Sequence, residues 1–337
     1  MTMNVLIGAG FSKAVDARYP TMTELSQLVL KDPEIQSYLR QLDLPHNIFR
    51  KGSSPNFENW IQILEESAVY EPDDATIVRR HYVVQLIENF VLRHIRELST
   101  GMSFNGDILN QLGKLITANA NILSTNYDLI FESALDCLKS QGTVNASSPY
   151  SMLSGLFDFA YQRRNLAYLD GGGPGYDNVS TLFKLHGSCN WYAFSEDRDD
   201  KFWIDVSLIT GNLDEAQNRL SRESIRQMKP VSALPTSGKN LAIQSLPLKR
   251  IWREAFGRIQ NGSALAIFGS AVNSTDSTLR SFLTEALPKD TPIFVWDLDP
   301  EKVKSNLEEI SPGSLITTFK TDDIGEFCEF VLSYASQ

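Results

Sequence analysis

Five short clusters of glycine and polar residues each follow an apolar run, and their residue types suit contact with a nucleotide. The first is Gly8-Ala9-Gly10-Phe11-Ser12, after Asn4-Val5-Leu6-Ile7. A strand that ends in Gly-x-Gly lets the backbone pass close to a pyrophosphate. The helix after it then turns its N–H groups and positive dipole end toward the phosphates. Alone this signal is weak, because many strand-to-helix turns carry two glycines and a serine. Its weight comes from the clusters further along the chain, in order: Ser124-Thr125-Asn126-Tyr127-Asp128, Lys184-Leu185-His186-Gly187-Ser188, Phe268-Gly269-Ser270 and Asp297-Leu298-Asp299. Open α/β sheets bind ligands at the carboxyl ends of their strands, where all five would lie.

Each cluster also has a plainer reading. Asn126 before Tyr127-Asp128 could serve as a helix cap. Asp299-Pro300 fits an N-cap with proline at the first helical position, which would leave Asp297 to accept the hydroxyls of an adenosine ribose. An isolated histidine at a strand end is more often a structural hydrogen bonder than a catalyst. His186 is distinguished by position, since a strand leads into it and small residues come after it. The other three histidines (His46, His81, His94) fall in helical pattern or beside a proline.

The elements that must position these residues alternate regularly near the end of the chain. Strands are expected at 264–268, 292–296 and 315–319, each followed by a helix (277–287, 301–310, 325–334). Earlier strands are expected at 4–7, 121–124 and 181–185. A helix is expected from Ser12, others from Tyr127 to Leu138 and from Leu248 to Ile259, and further helical patterns at 150–168 and 214–228. Gly171-Gly172-Gly173-Pro174-Gly175 reads as a loop rather than a phosphate cradle, since no strand ends before it and Pro174 lacks an N–H. The stretch from Trp191 to about Gly238 is mixed, aromatic first and charged later. Parallel strands covered by helices imply a Rossmann-like, doubly wound α/β fold. About a hundred residues between the first two strands far exceed a crossover. Phe57, Trp60, Ile61 and Leu64, then Val83, Ile87 and Val91, keep helical spacing there, so residues 20–118 read as a helical subdomain inserted into a sheet domain of 1–19 and 119–337.

Composition narrows the class. The 337 residues carry a net charge of −10, with no Lys/Arg-rich run to track a phosphate backbone, so direct nucleic-acid binding is not expected. Three scattered cysteines (Cys137, Cys189, Cys328) argue against a disulfide framework and a Cys₄ zinc site. No signal peptide fits ahead of Gly8 and no apolar stretch is long enough to span a bilayer, so the chain reads as soluble and cytoplasmic with no membrane partner.

Taken together, the clusters resemble the sirtuin family, specifically its bacterial sirtuin-like branch. Gly8-Ala9-Gly10-Phe11-Ser12 matches the opening Gly-Ala-Gly-x-Ser, Thr125-Asn126-Tyr127-Asp128 looks like the Thr-Asn-Tyr-Asp segment, and His186-Gly187 matches the His-Gly of the catalytic histidine. Phe268-Gly269-Ser270 is similar to the later Gly-Thr-Ser strand end, and Asp297-Leu298-Asp299 sits where the family carries Asn-x-Glu for the adenosine. Ile251-Trp252-Arg253-Glu254-Ala255 and Thr275-Asp276 look like features of the same branch. The resemblance spans about 5–18 and 119–335. It departs from protein-deacylating sirtuins in two places: only Cys189 comes after the His-Gly where a Cys-x-x-Cys zinc module would stand, and Tyr19-Pro20-Thr21-Met22 replaces Pro-Asp-Phe-Arg.

The resemblance therefore implies the zinc-free branch that hydrolyses NAD⁺ in anti-phage defence, with Asn126 and His186 as catalytic residues and NAD⁺ as substrate. Gly8, Ala9, Gly10, Phe11, Ser12, Thr125, Asn126, Asp128, Gly269, Ser270, Asp297 and Asp299 would bind the nucleotide, and no metal is expected. A deacylase without zinc and a non-catalytic ADP-ribose sensor are the alternatives. With no appended sensing domain expected, control would come from self-assembly into an oligomer or from a separate sensor protein, contacted through 20–118 or 195–240.

Overall fold

The computed structural model describes residues 2–42, 57–68, 73–144, 179–194, 202–204, 228–232 and 246–336. Its centre is a six-stranded, wholly parallel sheet of β1 (Met3–Ile7), β2 (Asn121–Ser124), β3 (Thr181–Lys184), β7 (Ala264–Phe268), β8 (Ile293–Asp297) and β9 (Ile316–Lys320). Across the sheet the order is β3-β2-β1-β7-β8-β9. A parallel sheet is covered on both faces, which is why β1 and β7 are buried at every position and read as unbroken apolar runs. The exception in β1 is Asn4, which donates to the Ile259 carbonyl and accepts from Asn121, its cross-strand neighbour. The expected Rossmann-like fold is the one observed.

The covering helices obey their capping chemistry. The first is α1 (Ala9–Val15), and the helical block then runs through α2 (Met22–Lys31), α3 (Pro33–Gln41), α4 (Phe57–Ala68) and α5 (Asp74–Ser99). Thr21 and Glu24 form a capping box at the start of α2, while Asp32 caps α3 with Pro33 in its first turn. Asp73 caps α5. Next come α6 (Gly106–Thr117), capped by Asn105, and α7 (Ile130–Ser140). The remaining helices are α8 (Leu246–Gln260), α9 (Ser277–Ala286), α10 (Pro300–Ile310) and α11 (Ile324–Ala335). α6 packs against α7 and α11.

Three local expectations change. α1 starts at Ala9 rather than Ser12, with Gly8 at the N-cap, because the Ser12 hydroxyl is spent on another element. Asn126 is not a helix cap, since α7 begins four residues later with Leu129 at its N-cap. The mixed stretch, with the residues just before it, contains a small antiparallel sheet of β4 (Gly187–Phe194), β5 (Phe202–Ile204) and β6 (Met228–Ser232), in the order β5-β4-β6. Its strands are short and paired across long gaps, and edge strand β6 carries Pro230, a residue that argues against a strand when met in sequence. The helical patterns at 150–168 and 214–227, the glycines at 171–175 and most of 195–240 lie outside the described residues. No described helix is long and apolar enough to cross a membrane.

Candidate functional site

The order of the parallel strands reverses between β1 and β7, because the chain proceeds from β1 to β2 and β3 on one side and returns to β7, β8 and β9 on the other. At such a switch point the loops leaving adjacent strands diverge and open a crevice at their carboxyl ends. A cleft of about 560 Å³ lies there. Its walls include Gly8, Ala9, Gly10 and Ser12 beyond β1, Thr125, Asn126 and Asp128 beyond β2, and His186 beyond β3. Gly269 and Ser270 come from β7 and Asp297 from β8. Residues separated by almost three hundred positions in sequence thus meet in one cavity. The helical block closes part of the cleft through Leu25 and Ile95, and Tyr19 from the preceding loop joins them.

The glycines bring two backbones together. Gly8 donates its N–H to the Phe268 carbonyl at 3.1 Å and Gly10 donates to Gly269 at 3.0 Å. A Cβ on Gly8 would stand 2.5 Å from the Gly269 carbonyl oxygen, and one on Gly10 2.7 Å from the Gly269 Cα. These two amides therefore fasten the β1 loop to the β7 loop instead of standing open to an anion, and both glycines still line the cleft. Phe11 is also reassigned: it is fully buried, stacked on Phe131 at 5.4 Å and edge-on to Phe268, and forms core rather than cleft wall. Its ring anchors α1 against the core.

Ser12 joins β1 to β2 through side chains. Its hydroxyl donates to Asp128 Oδ2 at 2.5 Å and accepts from Asn126 Nδ2 at 2.8 Å. Asn126 Nδ2 also donates to the Gly8 carbonyl at 2.8 Å, and Asp128 Oδ1 accepts from the Ile130 N–H. The Asn126 amide nitrogen is committed to the protein by these bonds, so contact with a ligand falls to its Oδ1. Thr125 uses its N–H and hydroxyl proton on the Ile7 carbonyl, which ties β2 to β1 and leaves the hydroxyl oxygen only as an acceptor.

Behind this chain is a buried ion pair. Lys184, the last residue of β3, lies 3.0 Å from Glu132 in the first turn of α7 and also donates to the Asp128 carbonyl. Burial pushes the Glu132 carboxyl up, opposed by the Lys184 ammonium. Cys189 stands in the same cluster, and burial raises its thiol to about 12, which makes it inert as a nucleophile at neutral pH. The Tyr19 hydroxyl, held 2.9 Å from Ser99, is likewise raised by burial.

His186 has a partner that sequence reading did not assign to the site. Asp276 Oδ2 lies 3.1 Å from His186 Nε2, while Asp276 Oδ1 accepts the Leu279 N–H as the N-cap of α9. Both residues are buried. A neutral imidazole facing a carboxylate carries its proton on that nitrogen, so Nδ1 becomes the basic one. The resemblance marks Thr275-Asp276 as a feature of the branch but gives it no role, because Thr275-Asp276-Ser277 is an ordinary helix start and only the fold carries it to a histidine ninety residues earlier.

At the far end Asp297 lines the cleft and Asp299 does not. The expected N-cap position is kept, but its bonding differs. Asp299 occupies the N-cap of α10 without a side-chain cap bond, whereas Asp297 Oδ1 accepts the Asp299 N–H at 2.8 Å. One Asp297 oxygen thus shapes the turn, and its other oxygen is not used by that bond. Among the described residues no group of three or more His, Cys, Asp or Glu is placed to hold a metal ion.

No protein-family model matches the chain, and no curated protein matches it. Among solved structures, one described as the structural basis for the mechanism and regulation of Sir2 enzymes is 11% identical, with a TM-score of 0.44, covering 99% of this chain and 92% of its own. A mutant Sir2 homologue in complex with ADP-ribose is 10% identical, with a TM-score of 0.44 and the same coverage. A Sir2 structure with an inhibitor, an acetylated ADP-ribose and a deacetylated peptide is 11% identical, with a TM-score of 0.37, covering 99% and 94%. The solved structures that this chain is similar to are Sir2-family proteins, at an identity and score that leave its function to be read from the cleft itself.

Proposed function

We propose that this chain is an NAD⁺ glycohydrolase that releases nicotinamide and ADP-ribose. The observation that carries the reading is the meeting of Asn126 and His186, from two strand ends, over a glycine-lined crevice at the sheet's switch point. A cleft of this size is in the range of small-molecule and cofactor sites. The bond between C1′ of the ribose and the nicotinamide nitrogen breaks with its electron pair leaving on nitrogen, which discharges the pyridinium. Water bonds to C1′ and gives up a proton, for which His186 Nδ1 is the base. Asn126 Oδ1 orients the water or a ribose hydroxyl, and Asp276 holds the imidazole in the required tautomer. Ala9, Ser12 and Ser270 contact the diphosphate region, and Asp297 accepts from the adenosine ribose.

The motif resemblance further supports a role as the NAD⁺-depleting effector of an anti-phage system, with 20–118 as an inserted helical subdomain. Control by self-assembly or by a separate sensor protein belongs to the same reading. If the isolated monomeric chain turns over NAD⁺ at the rate of the assembled or partner-bound form, that part is wrong.

Nicotinamide release by the full chain, measured with and without an acyl-lysine peptide, tests the reading directly. Release independent of peptide is expected. Release only with peptide would make the chain a deacylase, and binding of ADP-ribose without release would make it a sensor. With NADP⁺ the rate is expected to fall, because a 2′-phosphate removes the hydroxyl that Asp297 accepts from and sets two like charges together. Asp297→Ala should weaken NAD⁺ binding without unfolding the chain, as a partly buried strand-end acid outside the apolar core carries little packing. Equal turnover of NAD⁺ and NADP⁺ would displace Asp297 from this role.

A further inference from the structure

Lys184 and Glu132 are each 2% exposed and face each other beneath the cleft, where the reaction scheme does not use them. Taking two such charges out of water costs several kcal/mol per ion, and replacing a buried pair with apolar residues of similar volume is often neutral or stabilising. The pair is therefore poorly explained as a source of stability. Its connections suggest another use. Lys184 is the end of β3, two residues before His186. Its ammonium grips the carbonyl of Asp128 and, through Glu132, the first turn of α7. Asp128 in turn fixes Ser12, and Ser12 accepts from Asn126.

We infer that Lys184 and Glu132 are positioning residues, which clamp the turn bearing Asn126 and Asp128 to the strand end bearing His186 so that both act on one ribose. The inference rests on the hydrolase reading above for the identity of that ribose. Backbone bonds also join these segments: Leu185 donates to the Ser124 carbonyl and Cys189 to that of Tyr127. The first fixes the strands and the second holds the middle of the turn, but neither reaches the Asp128 carbonyl or the start of α7. The ammonium does both from a single atom, so it sets the rotation of the turn about its strand end.

The test is the double variant Lys184→Met/Glu132→Leu in the full chain. It conserves volume and leaves the net charge unchanged. A nearly unchanged melting temperature is expected, because release from the desolvation cost of the pair offsets the donor lost by the Asp128 carbonyl. The kcat for nicotinamide release should fall about 10²-fold, as for a displacement of about 1 Å in a reacting group, while KM moves less than about threefold. The Asn126 side-chain amide resonances should shift or split, a readout that needs no turnover. A double variant that keeps the parent's kcat and amide resonances overturns the inference. So does one that loses stability or fails to fold, since the pair would then be holding the structure. Should the parent release no nicotinamide, the hydrolase reading fails, and the amide resonances with the melting temperature decide the clamp alone.

Discussion

Replacing His186 with glutamine is expected to lower nicotinamide release by about 10²–10⁴-fold, the usual contribution of a positioned acid–base group. Glutamine retains an N–H for the Asp276 carboxylate, so the buried acid keeps a donor and melting temperature should change little. Alanine would be a less clean choice. Histidine and Asp276 face each other at 3.1 Å and both are buried, so truncation leaves a carboxylate stranded, at a cost of about 1–3 kcal/mol. The same caution applies to Asn126→Ala. It should lose about 10²-fold in rate through misplacement of the reacting groups, and also about 1–3 kcal/mol of stability. The second loss arises because the Gly8 carbonyl and Ser12 hydroxyl lose their donor. Strand-end position alone implies that both side chains can be cut back without harm to the fold, and their burial overturns that expectation. Asp276→Asn separates orientation from folding. Its Oδ1 can still cap α9, but an amide facing Nε2 favours the other tautomer, and a rate loss of about 10²-fold or more is expected with stability nearly intact. Single-turnover release and denaturant unfolding on the same preparations check all three. Parental rates in His186→Gln together with marked destabilisation would assign that histidine to the fold.

Gly269→Ala should be the most damaging small substitution in the cleft. Gly269 has φ +59°, and its Cβ would stand 2.5 Å from the Gly10 Cα and the Phe11 nitrogen. These are backbone atoms that cannot turn aside as a side chain would. Left-handed backbone costs a non-glycine residue about 1–2 kcal/mol. The forced separation of two packed backbones adds about 1–3 kcal/mol. The sum approaches half the stability of an ordinary domain. Gly313→Ala is the matched control, with φ +95° and nothing near its Cβ, and should carry the conformational cost alone. Denaturant midpoints give the difference between the two variants. ADP-ribose binding should be lost in Gly269→Ala and kept in Gly313→Ala, because only the former separates the β1 and β7 loops. Equal destabilisation by both would mean that the loops yield without strain.

The alternation of apolar strands and amphipathic helices, with caps such as Thr21 and Asp276, is local information. It is enough to specify a doubly wound parallel sheet, because every strand buried on both faces must be apolar throughout. The strand-end clusters were legible for the same reason: a glycine pair, an asparagine and a histidine each come directly after a strand, and parallel strands place all their carboxyl ends along one edge. Other features depend on which strands become neighbours. That the amides of Gly8 and Gly10 serve Phe268 and Gly269, that Phe11 is core, and that Asp297 rather than Asp299 shapes its turn are settled by contacts beyond the local sequence or by turn geometry. The Asp276 partner of His186 and the Lys184–Glu132 clamp belong to the same class, as does the small sheet around β4. A lysine at the end of a strand reads as solvated until the fold buries it, and a capping aspartate reads as only a cap. Local pattern determines which elements form and which residues stand at their ends, whereas the partner of a buried polar group is determined by strand order, which only tertiary packing decides.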